Sequence, residues 1–592
     1  MTEPLHIANC SGFYGDLHDA PRLLLEGPSP IDVLTGDYLA ELTMLILWKM
    51  KRRDANAGYA STFLRQMDDV LETVLDRNIA VVVNAGGLNP RGLAEALRSL
   101  ATKLGRKLDV AVVEGDNLID EVPSLLASGV EFTNLDTKEP FSSTGKLALS
   151  ANAYLGGFGI AEAMQRGAQI VVTGRVTDAA LVIGPAAFHH GWARDDFGPL
   201  AGALVAGHLL ECGTQVTGGN YALFHELPDF RFPGFPIAEV AADGSCVITK
   251  QPGSGGLVSL GTVTAQLLYE IGDERYENPD VVADFSSVEL TQLAPDRVGV
   301  STVKGFAPSG KLKVALNYEG GYRNQMSVVL TGLDLEDKAR RVRSMLFDLL
   351  GGEEVFREVD VQLICGATTI DAPTNEAATG RLRIVVKGED EQLVGRKFSQ
   401  AVVALTLASV PGIFADTPPS NASTYGVYWP ALIDGSVVDH TVVLESGEEI
   451  HLGPAPVTAP LPDKSEEPEV QGLTDEPTTL AILGDLCGAR SGDKGGNANV
   501  GLWTTDDEIF SWMVRALDVD TVAELLAVDV DVEVRRTVFS KLKSINYVVV
   551  GILGEGVASS ARLDPQAKGL GEYLRSRMVD VPISLLPKLR QP

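Results

Sequence analysis

Cysteine is scarce in this 592-residue chain: Cys10, Cys212, Cys246, Cys365 and Cys487 are widely scattered and no CxxC occurs. An odd count at such spacing supplies neither a disulfide framework nor a structural zinc site, and it reads as reduced thiols in a cytoplasmic protein. Positive charge is short too. The 49 lysines and arginines face 79 aspartates and glutamates, a formal net charge of −30 at pH 7. Such a surface repels phosphate backbones, so nucleic acid is not an expected partner, although a local pocket can differ in sign from the whole. No run reaches the roughly 18 apolar residues that span a bilayer, so no membrane partner is expected. MTEPLHIANC lacks a basic region followed by an apolar stretch and does not read as a signal peptide. Several signatures are missing as well: GxxxxGK[ST], a clean GxGxxG, HExxH, GxSxG and any cysteine nucleophile signature. Neither ATP nor NAD is therefore expected.

What is present is an ordinary globular balance, 45% hydrophobic and 22% charged, over a length that implies more than one core. LHIANC (5–10), IAVVVNAG (79–86), DVAVVEGDN (109–117) and QIVVTGR (169–175) read as strands. Residues 38–53, 90–105 and 153–168 read as helices. Near-continuous Val/Ile strands alternating with helices predict an open, doubly wound, mostly parallel α/β sheet over residues 1–224, with ligands outside the carboxyl ends of its strands. Residues 225–450 turn loop- and strand-rich, with strands at 298–306 and 311–320 and mixed helix at 324–352 and 389–410, and read as an α+β region. Residues 451–477, rich in Pro, Glu and Asp, read as a linker. Residues 478–592, with a helix at 510–526, a strand pair and a last helix at 565–578, suit a small ferredoxin-like α/β sandwich.

Five glycine-rich turns sit at strand ends or helix starts: CSGFYGDLHDAP (10–21), NAGGLNP (84–90), VEGDNL (113–118), TGRVTDAAL (173–181) and CGTQVTGGNYA (212–222). Glycine lets backbone amides approach a ligand, and a helix N-terminus adds partial positive charge. Ser11, Gly12, Asn84, Gly86, Gly87, Asn117 and Asn220 are the binding candidates there, with Asn84, Gly86 and Gly87 as an oxyanion or phosphate cradle. Asp37, Asp116, Arg175 and Asp178 are the catalytic candidates. Asp37 and Glu41, at i,i+4, can share a proton or bind a cation; Asp37 and Asp178 can equally cap helices. His208 in GALVAGHLLECG reads first as a core histidine, and the adjacent His189 and His190 are poor joint metal ligands. The densest polar cluster is GDLCGARSGDKGGNANVGLW (484–503), where Arg490, Ser491, Asp493, Lys494, Asn497 and Asn499 suit an anion.

NCSGFYGD, LTGDYLAELTM, VVVNAGGLNP, VVEGDNL, NAYLGGFGIAEAMQRGAQIVVTGRVTDAAL and HLLECGTQVTGGNYA together resemble the acyclic terpene utilisation AtuA family. LCGARSGDKGGNANVGLW resembles the AtuA-like ferredoxin-fold domain. The resemblance implies a catabolic role on branched or terpenoid acids carried as CoA thioesters, and it transfers no catalytic residues. Physical inference from the residues adds a hydratase/dehydratase-type lyase with carboxylate acid/base groups, amides on the oxyanion, and Arg490 and Lys494 on the CoA phosphates. CoA is then part of the substrate and no other cofactor is evident. Two alternatives stay open: a hydrolase or lyase holding a divalent metal on Asp37, Glu41, Asp116 and Asp178, and a non-catalytic carrier or assembly protein. A homo-oligomer is expected by analogy with catabolic α/β enzymes.

Overall fold

The computed structural model describes residues 3–229, 231–366, 370–465, 467, 476–528 and 532–589. The valine-rich runs form β1 (Leu5–Asn9), β2 (Val33–Gly36), β3 (Ala80–Val83), β4 (Val110–Glu114) and, after β5 (Ala148–Ala153), β6 (Ile170–Thr173). Five of these lie side by side and parallel in the order β1-β2-β3-β6-β4. Successive residues of a strand face opposite sides, yet Val81, Val82 and Val83 are all fully buried, so both faces of the sheet are covered. On one face sit α1 (Ala20–Glu26), α3 (Ser61–Asp76) and α4 (Pro90–Lys103); α2 (Glu41–Arg53) lies between α1 and α3 in sequence. α3 buries Phe63, Met67, Val70, Leu71 and Val74 at helical spacing, which is why it forms and how it docks. After the short α5 (Val122–Ala127), the helices α6 (Phe158–Gln165), α7 (Ala180–His190) and α8 (Phe197–Leu210) pack on other parts of the sheet. α8 is apolar on every side and buried from Leu200 to Leu210.

The sheet has antiparallel flanks. β7 (Pro236–Val240) pairs with β1 and is followed outward by β8 (Cys246–Lys250) and by the hairpin of Glu289–Ala294 and Arg297–Ser301. At the other edge His440–Val443 pairs with β4, and Glu449–Leu452 completes eleven strands. The sheet therefore draws on both sides of residue 225, and the division expected there is a Pro/Gly-rich loop inside one fold. The compact units are instead Met1–Asn317 with Tyr428–Val557 and Gln566–Pro592, and, separately, Tyr318–Val427 with Ala558–Pro565. In the second unit, residues 324–331, read as the start of a helical stretch, belong to the long strand Lys311–Thr331. Its helices Leu335–Leu350 and Phe398–Ala408 cover a core of Met326, Leu330, Val342, Leu346, Leu382, Ile384 and Phe398.

Of the expected linker 451–477, residues 451 and 452 finish a strand, and residues 466 and 468–475 lie outside the described residues. Beyond it, Gly488–Lys494, Asn497–Trp503, Ser544–Val549 and Val534–Phe539 form an antiparallel sheet in that spatial order. The expected helix at 510–526 is two helices, Asp507–Ala516 and Val519–Leu525, because Asp518 caps the second through Thr521 N (2.8 Å). The last helix shortens to Leu570–Arg575. Among the described residues no helix is long and apolar enough to cross a membrane.

Candidate active site

The carboxyl ends of the parallel strands place the first groups. Asp37 follows β2, is 5% exposed, and donates its backbone N–H to Ser11 O (3.0 Å) at the end of β1. Asn84, after β3, donates its side-chain amide to Asp37 Oδ1 (2.6 Å) and accepts Tyr38 N (2.8 Å). Gly87 N donates to Asn84 O (3.3 Å), and a Cβ on Gly86 would lie 2.4 Å from Thr173 O. Asn84, Gly86 and Gly87 thus form a tight turn that braces Asp37, with the Asn84 amide and the Gly87 N–H both engaged inside the protein. Asp116, after β4, is a second brace. It accepts Asn152 Nδ2 (2.7 Å) and Arg175 N (2.8 Å). Burial lifts its carboxyl to about 6 against the pull of these hydrogen bonds. Asn117 is exposed and bonds Ile119 N (3.3 Å). Ser11 Oγ donates to Phe13 O (2.9 Å), and Gly12 N to Asp16 Oδ2 (2.8 Å), where a Cβ would meet the Cys212 carbonyl carbon at 2.5 Å.

Arg175, 3% exposed, is the hub. Its Nη1 donates to Asp178 Oδ1 (2.5 Å) and Val176 O (3.0 Å), and its Cζ lies 4.1 Å from the Tyr154 ring centroid. Lys313 Nζ lies 4.8 Å from the same centroid and 3.5 Å from Glu41 Oε1, which also accepts the Tyr154 hydroxyl (3.2 Å). Glu211, just past α8, has Oε1 3.1 Å from Nδ1 of the fully buried His208. Glu211 Oε2 and Arg175 Nε are buried without a protein hydrogen bond, which leaves two polar atoms at the hub to meet a ligand or water.

Environment splits these carboxyls into two classes. Burial first, then the neighbouring Asp178, pushes Asp37 well above the carboxylate range, against Arg175 and Asn84. Burial and Asp178 do the same to Glu211. Burial, Glu211 and Glu41 raise Glu270, and burial with Glu270 carries Asp493 to about 8. For Glu41 burial works upward, but Lys313 and Arg175 outweigh it and hold the carboxyl at about 2. Burial and Lys313 lower the Lys494 ammonium. Lys494 nonetheless keeps solvent contact.

Asp493 and Lys494 come from the C-terminal domain. Lys494 Nζ donates to Glu270 O (2.8 Å). Glu270 has a left-handed backbone, φ 56°, and its N–H donates to Asn499 Oδ1 (2.9 Å). Asn499 Nδ2 in turn reaches Leu268 O (2.6 Å) and Asn546 Oδ1 (2.8 Å). Asn499 is therefore a joint between segments. Ser491 is tied to Ala567 O (2.6 Å) and Gly571 N (2.8 Å), and Asn497 to Asp136 Oδ1 (2.8 Å). Arg490 donates to Asn220 O (3.4 Å), on an exposed turn.

Of the expected residues, Asp37, Arg175, Asp178, Asp493 and Lys494 thus belong to one electrostatically connected cluster. Tyr154, Glu211, Glu270 and Lys313 join it and were not singled out by sequence. Glu211 carried one signal, a lone charge ending a wholly apolar helix. The metal set Asp37, Glu41, Asp116 and Asp178 does not gather: among the described residues, three such ligand atoms lie within 4.8 Å of one another only at the surface group His18, Asp19 and Asp69.

The family described as Acyclic terpene utilisation family protein AtuA matches residues 5–444, and the AtuA ferredoxin-like domain matches residues 481–580. No curated protein matches the chain.

Proposed function

We propose that this chain, which belongs to the acyclic terpene utilisation family AtuA, is a catabolic hydro-lyase for a branched or terpenoid acyl-CoA or a related hydroxy acid. One observation carries the reading. A single cluster holds carboxyls that burial pushes toward the protonated form, Asp37 and Glu211, beside Glu41, which Lys313 and Arg175 hold low, and Asp178, which is ion-paired to Arg175. Environments that push carboxyl pKa values apart supply an acid and a base at one pH.

In the dehydration direction the Asp178 carboxylate takes the proton α to the thioester carbonyl. Lys313 and Arg175, side by side on Tyr154, face the negative charge that develops on the carbonyl oxygen. A protonated carboxyl, Asp37 or Glu211, gives its proton to the departing β-hydroxyl, and water leaves. Hydration is the reverse. Positioned acid/base groups of this kind contribute about 10²–10⁴-fold each, and electrostatic donors at the enolate oxygen add a comparable factor. The test is incubation of the purified chain with branched enoyl- and 3-hydroxyacyl-CoAs, followed by mass spectrometry for the gain or loss of one water. Neither conversion nor binding of any of them would sink the proposal.

A further inference from the structure

Arg490 is only 6% exposed, and no carboxylate pairs with it among the described residues. Its hydrogen-bond partners are neutral: Asn220 O (3.4 Å) and the side-chain oxygen of Gln215. Its Cζ lies 4.3 Å from the Tyr269 ring centroid, and Lys568 Nζ lies 4.4 Å from the same centroid. Lys568 also donates to the Tyr269 hydroxyl and stands 3.9 Å from Glu270 Oε1, a carboxyl that burial, Glu211 and Glu41 push toward its neutral form. Two cations therefore share one aromatic ring in a chain of net charge −30. The ring is fixed: a Cβ on Gly492 would lie 2.4 Å from Tyr269 Cε2, so the hairpin backbone presses on it.

A buried cation without a carboxylate partner is costly, and Arg490 is such a cation, with the exposed ammonium of Lys568 beside it on the same ring. One bound anion would pair with Arg490 and draw on Lys568 as a second positive charge at the rim. The guanidinium suits a phosphate, which it can grip through two parallel N–H donors. Lys494 does not serve here, because its ammonium is turned to Glu270 O.

We propose that Arg490 and Lys568, with Gln215 and the Asn220 turn as walls, form a subsite for a phosphate monoester or diphosphate, the anionic end of the substrate carrier. The acyl-CoA reading supplies only the identity of that carrier. The subsite needs both domains, since Gln215 and Tyr269 come from the first and Arg490 and Lys568 from the second.

The test is calorimetric titration of the full chain with inorganic phosphate, adenosine 3′,5′-bisphosphate and CoA. The wild type is expected to bind the bisphosphate and CoA, and Arg490→Gln and Lys568→Gln each to weaken both about tenfold or more, with Arg490→Lys in between. Lys568→Gln, at the rim, keeps the test open should Arg490→Gln fail to fold. Unchanged affinity in both Gln variants, or no binding of any probe, overturns the subsite. Phosphate binding that depends on Arg490 without CoA binding supports the subsite and removes the acyl-CoA reading. Turnover of acyl-CoA with an unchanged KM in Arg490→Gln does the opposite.

Discussion

Replacing Arg175 by Gln removes a cation that contacts Asp178 and pulls the pKa values of Asp37 and Glu211 down. Losing one partner of a buried ion pair typically costs about 3–5 kcal/mol, because the other charge is left uncompensated. Asp178 is partly exposed, so the lower end, about 3 kcal/mol at pH 8, is expected. The loss should shrink at pH 5. In the wild type Asp37 and Glu211 have folded-state pKa values above their unfolded ones. Their protonated forms favour the folded state, and that stability is fully present below the unfolded values and is lost as pH rises through the folded ones. Without Arg175 both values rise further, so the missing cation is felt more as pH rises and these carboxyls ionise. Urea unfolding of both proteins at pH 5 and pH 8 measures the difference. An equal loss at the two pH values would refute an electrostatic role and leave only lost packing on Tyr154.

Other outcomes follow from the same contacts. Asp178→Asn should lower kcat about 100-fold, the usual weight of a positioned acid/base group. Glu41→Gln should alter acid unfolding: the depressed Glu41 adds stability above its unfolded value of 4.5 that is lost as pH falls toward about 2, a slope the variant lacks; an unchanged acid limb speaks against the Lys313 and Arg175 pairing. Asp116→Ala removes the acceptor of Asn152 Nδ2 and Arg175 N, and should cost about 1–3 kcal/mol by urea unfolding. Gly12→Ala should destabilise by about 1–3 kcal/mol, since its Cβ meets Cys212 backbone and not a mobile side-chain tip. Asn499→Leu should leave the Glu270 N–H and Leu268 O unpaired, costing about 2–4 kcal/mol together, and should reduce activity by releasing Glu270.

The parallel centre of the sheet was legible because each strand is a short Val/Ile run, and burial on both faces demands such a run. β1, β3, β4 and β6 fall within the stretches read as strands. The helix read from residue 38 starts at Glu41 instead, because Asp37 and Tyr38 are held by Ser11 and Asn84 in the strand-end geometry and Ala40 is extended, φ −135°. The antiparallel flanks escaped notice, since β7 and the strand His440–Val443 find their partners over 200 and 300 residues away, and no local period records such pairing. The site divides in the same way. Asp37, Arg175 and Asp178 lie at strand ends and were visible from that rule alone. Lys313, in KLKVALNYEG, is one residue of an alternating strand, and nothing local says that it points to Tyr154.

The polar loop of the C-terminal domain was visible as a cluster but not as several separate devices. Ser491, Asn497 and Asn499 are consumed in holding the hairpin to Ala567, Asp136 and Leu268. Only then do Asp493 and Lys494 meet Glu270, whose left-handed backbone is itself fixed by Asn499. Three neutral side chains thus set the position of two ionisable ones. Compactness of a polar stretch therefore measured how many backbone groups needed partners rather than how large a ligand it binds. The domain's electrostatic contribution has a direction. Lys494 adds positive charge where Glu41, Glu211 and Glu270 converge, and Asp493, carried to about 8, sits there mostly protonated at pH 7. A hairpin that delivers one cation and one neutral acid makes the cluster less negative and leaves it one more proton donor. On the proposed reading an anionic acyl carrier meets a chain of net charge −30, and that change of local sign favours its binding.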